Sequence, residues 1–236
     1  LTVKLRDQDQ KLFEAIQAAD IEQLILEGNL KQQIRDDFMQ FLGARETYEL
    51  HGVPWKRGAL FIGPPGNGKT LCVKALAKLL SIPCFYVRDF DPQHSTAQDA
   101  IHTLFKRARD TTPCLLVLED IDSLLTDATR SFFLNELDGF AQNAGVVVLA
   151  TTNYPEKIDP AIIDRPSRFD RKYLFDLPGP IERRRYLERW SDKLDPEMRP
   201  TQKEVSTFCT ARFQTIASPQ QSKALTANPR SAIVIS

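Results

Sequence analysis

Residues 63–70 read Gly-Pro-Pro-Gly-Asn-Gly-Lys-Thr and satisfy the phosphate-loop pattern G-x-x-x-x-G-K-[ST]. The apolar run Ala59-Leu60-Phe61-Ile62 precedes this stretch, and apolar residues at helical spacing follow it from Leu71 onward. A strand, a glycine-rich turn and a helix N-terminus together surround phosphate oxygens with backbone N–H groups and a positive dipole end. The stretch therefore predicts a nucleotide-binding site.

The predicted nucleotide contacts come from this loop and from the first turn of the helix behind it. Lys69 would reach the β- and γ-phosphates, and the Thr70 hydroxyl would join the shell of a Mg²⁺ ion. The predicted contact residues are Gly63, Pro64, Pro65, Gly66, Asn67, Gly68, Lys69, Thr70 and Leu71.

Length and composition limit the classes of protein to consider. A chain of 236 residues suits one sizeable domain, or one domain with a small appendage. It has 31 basic and 31 acidic residues, a balance that argues against a nucleic-acid partner, and no apolar run approaches the ~20 residues of a membrane span. The four widely separated cysteines are typical of buried residues in a reducing compartment. We therefore expect an intracellular protein of unspecified compartment. Because its chain begins at Leu1, we also expect it to be part of a longer one.

The pattern of apolar residues divides the chain into four parts. Residues 1–50 predict a helical extension with helices at about 10–27 and 30–42, and residues 51–178 alternate strands with helices. Short apolar strands alternating with helices indicate an α/β fold, here a three-layer sandwich of the phosphate-loop NTPase type with a mostly parallel five-stranded sheet. The predicted strands are 59–62, 84–88, 114–119, 145–150 and 172–176, and the predicted helices between them are 69–80, 96–109 and 129–138.

The ends of several helices carry recognisable signals. Ser95 and Gln98 form a candidate capping box for the helix at 96–109, and Gly139 is a suitable stop for the helix at 129–138. Residues 179–213 predict a partial helical lid with helices at about 181–194 and 202–213. Residues 214–236 show no sustained period, which predicts an irregular or disordered tail.

Polar residues follow two of the predicted strands. Glu119 and Asp120 come directly after the run Leu115–Leu118, and Asn153 follows the strand at 145–150. Carboxylates and an amide at this edge suit a site that binds a metal and positions water. The alternative for the carboxylates is a capped strand end with solvated charges, and Asn153 by itself would more often be a turn residue. Arg168 and Arg171 stand three residues apart, with ion pairing to Asp164 and Asp170 as the alternative.

Together these features resemble the core module of the AAA+ ATPases over residues 51–190. GPPGNGKT is similar to the Walker A motif of that family, LLVLEDID to Walker B, NELDG to the end of its third helix, ATTN to sensor 1, and DPA…RPSRFDR to the second region of homology. The phrase YELHGVPWKRG and the order Glu then Asp in Walker B resemble a group of fungal AAA ATPases and, more distantly, the mitochondrial respiratory-chain assembly AAA ATPase.

The resemblance implies hydrolysis of ATP with Mg²⁺ in a ring, usually a hexamer, that acts on a protein substrate. By motif position Thr70 and Glu119 would take the metal-side roles, and Asp120 would be the base. Lys69 and Asn153 would complete the site within one chain. Arg168 and Arg171 would act as catalytic arginines on the nucleotide of a neighbouring subunit.

The chain departs from the family pattern in three places. Walker B in the core family reads Asp-Glu, whereas this chain reads Glu119-Asp120. The region after the second strand has no glycine, so Phe90 is either a weak stand-in for a pore-loop aromatic or, as we favour, a buried anchor. The lid is short because no glycine-containing stretch follows Arg212.

Three other functions remain open at this stage. The exchanged carboxylates and short lid suit a nucleotide-binding scaffold or switch with little hydrolysis. A small-molecule kinase with a phosphate loop is disfavoured by RPSRFDR and ATTN. A DNA-directed AAA+ protein is disfavoured by the zero net charge.

Overall fold

The computed structural model describes residues 10–90, 96–139, 143–163, 165 and 167–210. Contacts between residues divide the chain into two compact units, Leu1–Leu177 and Pro178–Ser236. The predicted irregular tail at 214–236 lies outside the described residues, as does the predicted capping residue Ser95.

The first unit is built on five strands that are all parallel, which confirms the predicted α/β class. The strand order is β2-β3-β4-β1-β5, so β1 lies between β4 and β5. Leu60 of β1 is paired with Ala150 on one side and with Lys172 on the other. The strands are β1 (Arg57–Ile62), β2 (Cys84–Val87), β3 (Cys114–Leu118), β4 (Val146–Thr152) and β5 (Arg171–Leu174).

Apart from the first helix, the predicted helices lie within three residues of their predicted bounds, and the predicted end of the last one at residue 213 lies outside the described residues. The helices are α1 (Gln10–Ala18), α2 (Leu30–Gly43), α3 (Arg45–Leu50), α4 (Lys69–Leu80), α5 (Ala97–Asp110), α6 (Ile121–Leu124), α7 (Asp127–Asp138), α8 (Pro160–Ile163), α9 (Pro180–Ser191) and α10 (Gln202–Thr210). Three short 3₁₀ turns lie at Ile21–Gln23, Pro155–Lys157 and Pro196–Met198.

Both faces of the sheet are covered, which is why its central strands are continuously apolar. Leu116 and Leu118 of β3 pack in one core cluster with residues of α5 and α7. Leu115 and Val117 alternate to the other face and pack with residues of α4 and α2. The three layers therefore follow from the two-residue period of strand side chains.

The N-terminal helices share the second of these cores. Ile34, Phe38 and Phe41 of α2 are buried in the cluster that contains Leu76 of α4. The indole of Trp55 donates a hydrogen bond to the carbonyl of Phe41 at 2.9 Å. The core therefore extends across the predicted boundary at residue 50.

Two helix ends differ from the predictions, and each has a local cause. The box that caps α5 is Thr96 with Asp99, not Ser95 with Gln98, because the Asp99 carboxylate accepts bonds from both the N–H and the hydroxyl of Thr96. The first helix ends at Ala18, well before residue 27. The Asp20 side chain accepts the N–H of Glu22 and starts a 3₁₀ turn there instead.

The second unit contains α9 and α10. Leu187, Val205 and Cys209 form a small buried cluster between these helices, and Arg183 donates to the carbonyl of Cys209 at 2.5 Å. Among the helices of the described ranges, none is long and apolar enough to cross a membrane.

Candidate nucleotide site

The phosphate loop joins β1 to α4, as the sequence predicted. Gly66 and Gly68 have φ angles of +83° and +88°, a region that residues with a Cβ rarely adopt. Leu24, which is buried, approaches Gly68 so closely that a Cβ there would lie 3.1 Å from Leu24 Cδ2. The loop conformation therefore depends on its glycines and on a contact from the N-terminal segment.

The loop is also fixed to β4 and to the residue that follows β5. Asn67 donates from Nδ2 to the Phe175 carbonyl at 3.1 Å, and the Gly63 N–H donates to the Thr152 carbonyl at 3.3 Å. These bonds hold the loop above the carboxyl ends of the strands, where ligands bind in open parallel sheets.

Lys69 lies folded back on the loop. Its Nζ donates to the carbonyls of Gly63 at 2.6 Å and Pro64 at 2.8 Å, and the residue is buried. Burial lowers the pKa of Lys69, while the charges of Asp120 and Asp122 act in the opposite direction. A buried ammonium held by two neutral carbonyls favours exchange of these partners for an anionic phosphate oxygen.

Asp120 lies at the centre of the carboxylate group that follows β3. Its φ of +49° places it in the left-handed region, and its N–H donates to Thr151 Oγ1 at 3.0 Å. Asn153 donates from Nδ2 to Asp120 Oδ1 at 2.9 Å. The structure thus brings together Lys69, Asp120 and Asn153, three of the residues that the sequence singled out.

The surroundings of Asp120 favour its protonated form. Burial raises its pKa, the neighbouring charges of Asp122 and Glu119 raise it further, and Lys69 lowers it. Asp122 was not predicted as a site residue, yet it accepts the Thr152 hydroxyl at 2.7 Å and its charge acts on Lys69. The sequence signal for it is its position two residues after Asp120, in the run Glu119-Asp120-Ile121-Asp122.

Glu119 points toward β2 instead of toward Lys69. Arg88 approaches it with Nε at 3.2 Å from Oε2, and the Oε1 atom is buried with no hydrogen-bond donor among the described residues. The buried Tyr86 hydroxyl lies beside this carboxylate, and its pKa is raised first by burial and then by its contact with Glu119, while Arg88 lowers it. Neither Tyr86 nor Arg88 was predicted.

The oxygen donors of this region fit a magnesium ion bound together with a nucleotide. The described residues hold no group of three or more His, Cys, Asp or Glu that could bind a metal by itself. Mg²⁺ in phosphate-loop sites needs fewer protein ligands, because phosphates and water supply the rest. The exposed Thr70 and the unsatisfied Oε1 of Glu119 are suitable hard donors.

The two predicted arginines lie away from the loop of their own chain. Arg168 is buried, and its guanidinium pairs with Asp138 at 2.6 Å and also contacts the Ala161 carbonyl. Arg171 begins β5 and pairs with Asp37 at 3.2 Å. Arg165, which was not predicted as a catalytic arginine, shares Asp138 at 3.3 Å and has a side chain 63% exposed.

Phe90 is 8% exposed and belongs to the core cluster that contains Val87 and Leu118. The favoured interpretation as a buried anchor is therefore confirmed for this residue.

Comparison with known proteins decides the family. The profile described as "ATPase family associated with various cellular activities (AAA)" matches residues 59–177, half of the chain. The chain belongs to this AAA family. The matched span runs from β1 through the phosphate loop, the carboxylates, Asn153 and the arginine cluster to β5.

Curated relatives agree with this assignment. The chain is 30% identical to the ATP-dependent zinc metalloprotease FtsH 2 of Salinibacter ruber, over 78% of this chain and 28% of that protein. It is 37% identical to FtsH 1 of Phytoplasma mali, over 60% of this chain and 26% of that protein. The chain thus spans about a quarter of the length of these relatives.

The family confirms the predicted class of activity. The chain is an AAA module, an ATP hydrolase that uses ATP with Mg²⁺. The zinc in the relatives' names concerns those proteins.

Proposed function

We propose that this module hydrolyses ATP with Asp120 as its base and that it works in an oligomeric ring, a hexamer in the full-length protein, to remodel a protein substrate. The single observation that carries the proposal is the cluster in which Asp120 is held by Asn153 and faces Lys69. This cluster lies at the end of the phosphate loop, on the strand edge where the nucleotide phosphates would lie.

Each loop residue has a distinct binding role. The backbone N–H groups of residues 66–70 would surround phosphate oxygens, and Lys69 would exchange its two carbonyl acceptors for phosphate oxygens. Thr70 and Glu119 would hold Mg²⁺, which when bound neutralises charge on the β- and γ-phosphates. The remaining chemistry is that of proton transfer.

Asp120 is suited to accept that proton. Asn153 occupies its Oδ1 atom, which leaves Oδ2 to take a proton from water. A pKa raised by burial and by the neighbouring carboxylates makes Asp120 a stronger base than an ordinary aspartate. Its side chain is one methylene shorter than the glutamate usual at this position, so the water must lie closer to the strand.

Arginines from a neighbouring subunit would complete the site. Arg165, Arg168 and Arg171 are the candidates, and the exposure of Arg165 makes it the one most accessible to a neighbour. Arg168 would act directly only after leaving Asp138, so in its observed position it orients the segment that presents Arg165.

Nucleotide binding is tested with Lys69→Ala. Loss of a charge-assisted contact worth ~1.5–3 kcal/mol should weaken ATP binding by about 10- to 100-fold. Calorimetric titration of ATP measures this directly, and circular dichroism reports whether the fold is kept. Lys74→Ala removes the same charge from the next turn of α4 and should leave the affinity unchanged. Equal affinities for wild type and Lys69→Ala would refute the site.

A second candidate function is a nucleotide-binding switch with little hydrolysis. The pairing of Glu119 with Arg88 and the short Asp120 side chain favour it. A switch would bind ATP at the same site but show a negligible single-turnover rate, so comparing that rate with the affinity separates the two functions.

A further inference from the structure

Arg88, directly after β2, pairs with Glu119, the carboxylate that we assign as a magnesium ligand. We propose that the Arg88 guanidinium holds Glu119 in the absence of Mg²⁺ and competes with Mg²⁺ for that carboxylate. The inference rests on the proposed function, because it takes Glu119 as a magnesium ligand. Its geometric basis is the 3.2 Å approach of Arg88 Nε to Glu119 Oε2.

The two partners differ in exposure, and this difference makes the pair exchangeable. The Glu119 side chain is 12% exposed, whereas that of Arg88 is 63% exposed. A buried carboxylate needs a compensating cation, but an exposed guanidinium regains water when it leaves. Replacing Arg88 by another cation therefore costs little free energy, whereas leaving the Glu119 carboxylate without any cation costs more.

The pairing is also incomplete on the carboxylate side. Arg88 pairs with Oε2 of Glu119. The buried Oε1 atom receives no hydrogen bond within the described part of the chain. Lys69 acts on Asp120 and Asp122 rather than on Glu119. A second cation on the Oε1 side would find a carboxylate oxygen available.

Arg88 has a second contact that fixes its position at rest. Its guanidinium lies 5.2 Å from the centroid of the ring of Tyr86, which belongs to β2. The ring and the carboxylate together hold the arginine beside the site. Arg88 is thus a positioning residue that sets how much Mg²⁺ is needed to take over Glu119.

The test measures how ATP affinity depends on free Mg²⁺. The dissociation constant of ATP is determined by calorimetry over a series of free Mg²⁺ concentrations and in EDTA, for the wild type and Arg88→Gln. Because a partly exposed ion pair is weak, Arg88→Gln should lower the half-saturating Mg²⁺ concentration by about two- to fivefold. The EDTA titration separates this effect from a direct effect on the nucleotide.

Three variants serve as controls. Arg107→Gln removes the same charge from an exposed position of α5 and should leave the Mg²⁺ midpoint unchanged. Arg88→Lys keeps a cation beside Glu119 and should lie closer to the wild type than Arg88→Gln does. In a Glu119→Gln background, Arg88→Gln should have no further effect, since the shared carboxylate is gone.

The outcomes distinguish this inference from the proposal beneath it. If Glu119→Gln leaves the Mg²⁺ midpoint unchanged, Glu119 is not a metal ligand and both ideas fail. If Glu119→Gln raises the midpoint while Arg88→Gln leaves it unchanged, or if the two changes are additive, only the competition is overturned. Urea unfolding of each variant confirms that the comparison is made between folded proteins.

Discussion

Gly58 in β1 and Gly63 directly after it lie so close to backbone oxygens of other segments that no larger residue fits at either position. A Cβ on Gly58 would lie 1.7 Å from the carbonyl oxygen of Arg168, and a Cβ on Gly63 would lie 2.0 Å from that of Phe175. Both contacts bring the chain on either side of β5 against β1. The position of the arginine segment therefore depends on a residue in a buried strand.

Replacing Gly58 by alanine should destabilise the fold strongly. The added methyl group cannot fit beside a backbone oxygen, and overpacking of this kind should lower the free energy of unfolding by at least about 3 kcal/mol. Urea unfolding followed by circular dichroism measures the change.

Gly43→Ala is the matched control for that experiment. A Cβ at Gly43 meets nothing within 4 Å, so this substitution should be neutral or stabilise by up to about 1 kcal/mol. Similar unfolding midpoints for the two variants would show that β1 and the Arg168 segment are not closely packed.

Single residues of the site were predictable only where a motif names them. Lys69 and Asp120 follow from sequence patterns, and the structure places them in one cluster. Arg88 and Asp122 act through partners 30–31 positions away, which no local pattern reveals. Asp138 likewise pairs with Arg168, thirty residues later in the chain. Such contacts depend on how strands are ordered in the sheet.

At the level of elements, α2 is joined to the sheet by one carboxylate. Asp37 accepts bonds from Arg57 at 2.6 Å and from the Tyr173 hydroxyl at 2.6 Å, and it lies 3.2 Å from Arg171. Burial raises the pKa of Asp37, but the bonds from Arg57 and Tyr173 and the two positive charges lower it below the ordinary value of 3.8. The ionised form of Asp37 therefore links α2 to β1 and β5.

This link predicts a pH dependence of stability. A group with a lowered folded pKa stabilises fully above its unfolded value of 3.8, and this stabilisation is lost as pH falls through the lower folded value. Asp37→Asn should lower the free energy of unfolding by about 2–3 kcal/mol at pH 7. The deficit should shrink as pH falls below 4, which thermal unfolding from pH 7 to pH 3 would record.

Asp36→Asn provides the control on the same helix. The Asp36 side chain is 48% exposed, and the variant should unfold like the wild type at each pH. A deficit for Asp37→Asn that stays constant down to pH 3 would mean that charge on Asp37 does not hold α2 in place.

The elements themselves were largely predictable because their apolar periods are strong. All five strands and the helices α4, α5 and α7 form where residues alternate or repeat at helical spacing. The end of α1 and the cap of α5 were mispredicted, since the Asp20 side chain accepts the Glu22 N–H and Thr96 forms a reciprocal box with Asp99. Such competition is decided by geometry that the pattern does not contain.

At the scale of the whole molecule, the phosphate loop follows the carboxyl end of β1, whereas Arg168 and Arg171 lie beside its first half. The phosphate loop follows Ile62, whereas Arg168 touches Gly58 and Arg171 pairs with Ala59. Gly58 and Ala59 lie ~10–13 Å along the strand from Ile62, and the two arginine side chains are held there by Asp138 and Asp37. The arrangement supports a site completed by another subunit.

Mixing two inactive variants tests this arrangement. Arg165→Ala should lower the assembled ATPase rate by about 10³-fold, and Lys69→Ala should abolish it. A mixture should regain activity, because some interfaces combine an intact loop with an intact arginine. The Arg168→Ala variant should also be less stable, since the partly buried Asp138 carboxylate would lose the closer of its two arginine partners.

Unfolding curves separate the two effects of Arg168→Ala. The prediction of a catalytic arginine from a neighbouring subunit is wrong if all three single variants hydrolyse ATP at the wild-type rate under conditions in which the wild type assembles. These variants are Arg165→Ala, Arg168→Ala and Arg171→Ala. Ring assembly could be inferred from the sequence only through family resemblance, because no single motif in one chain specifies how it contacts a second copy.

The most direct test of Asp120 as the hydrolytic base is single-turnover hydrolysis by Asp120→Asn, with ATP affinity measured on the same protein. The amide cannot accept a proton, so the rate should fall by about 10²- to 10⁴-fold. ATP should bind at least as tightly as to the wild type, because a negative charge near the phosphates is removed. A variant that hydrolyses bound ATP at the wild-type rate would contradict the account.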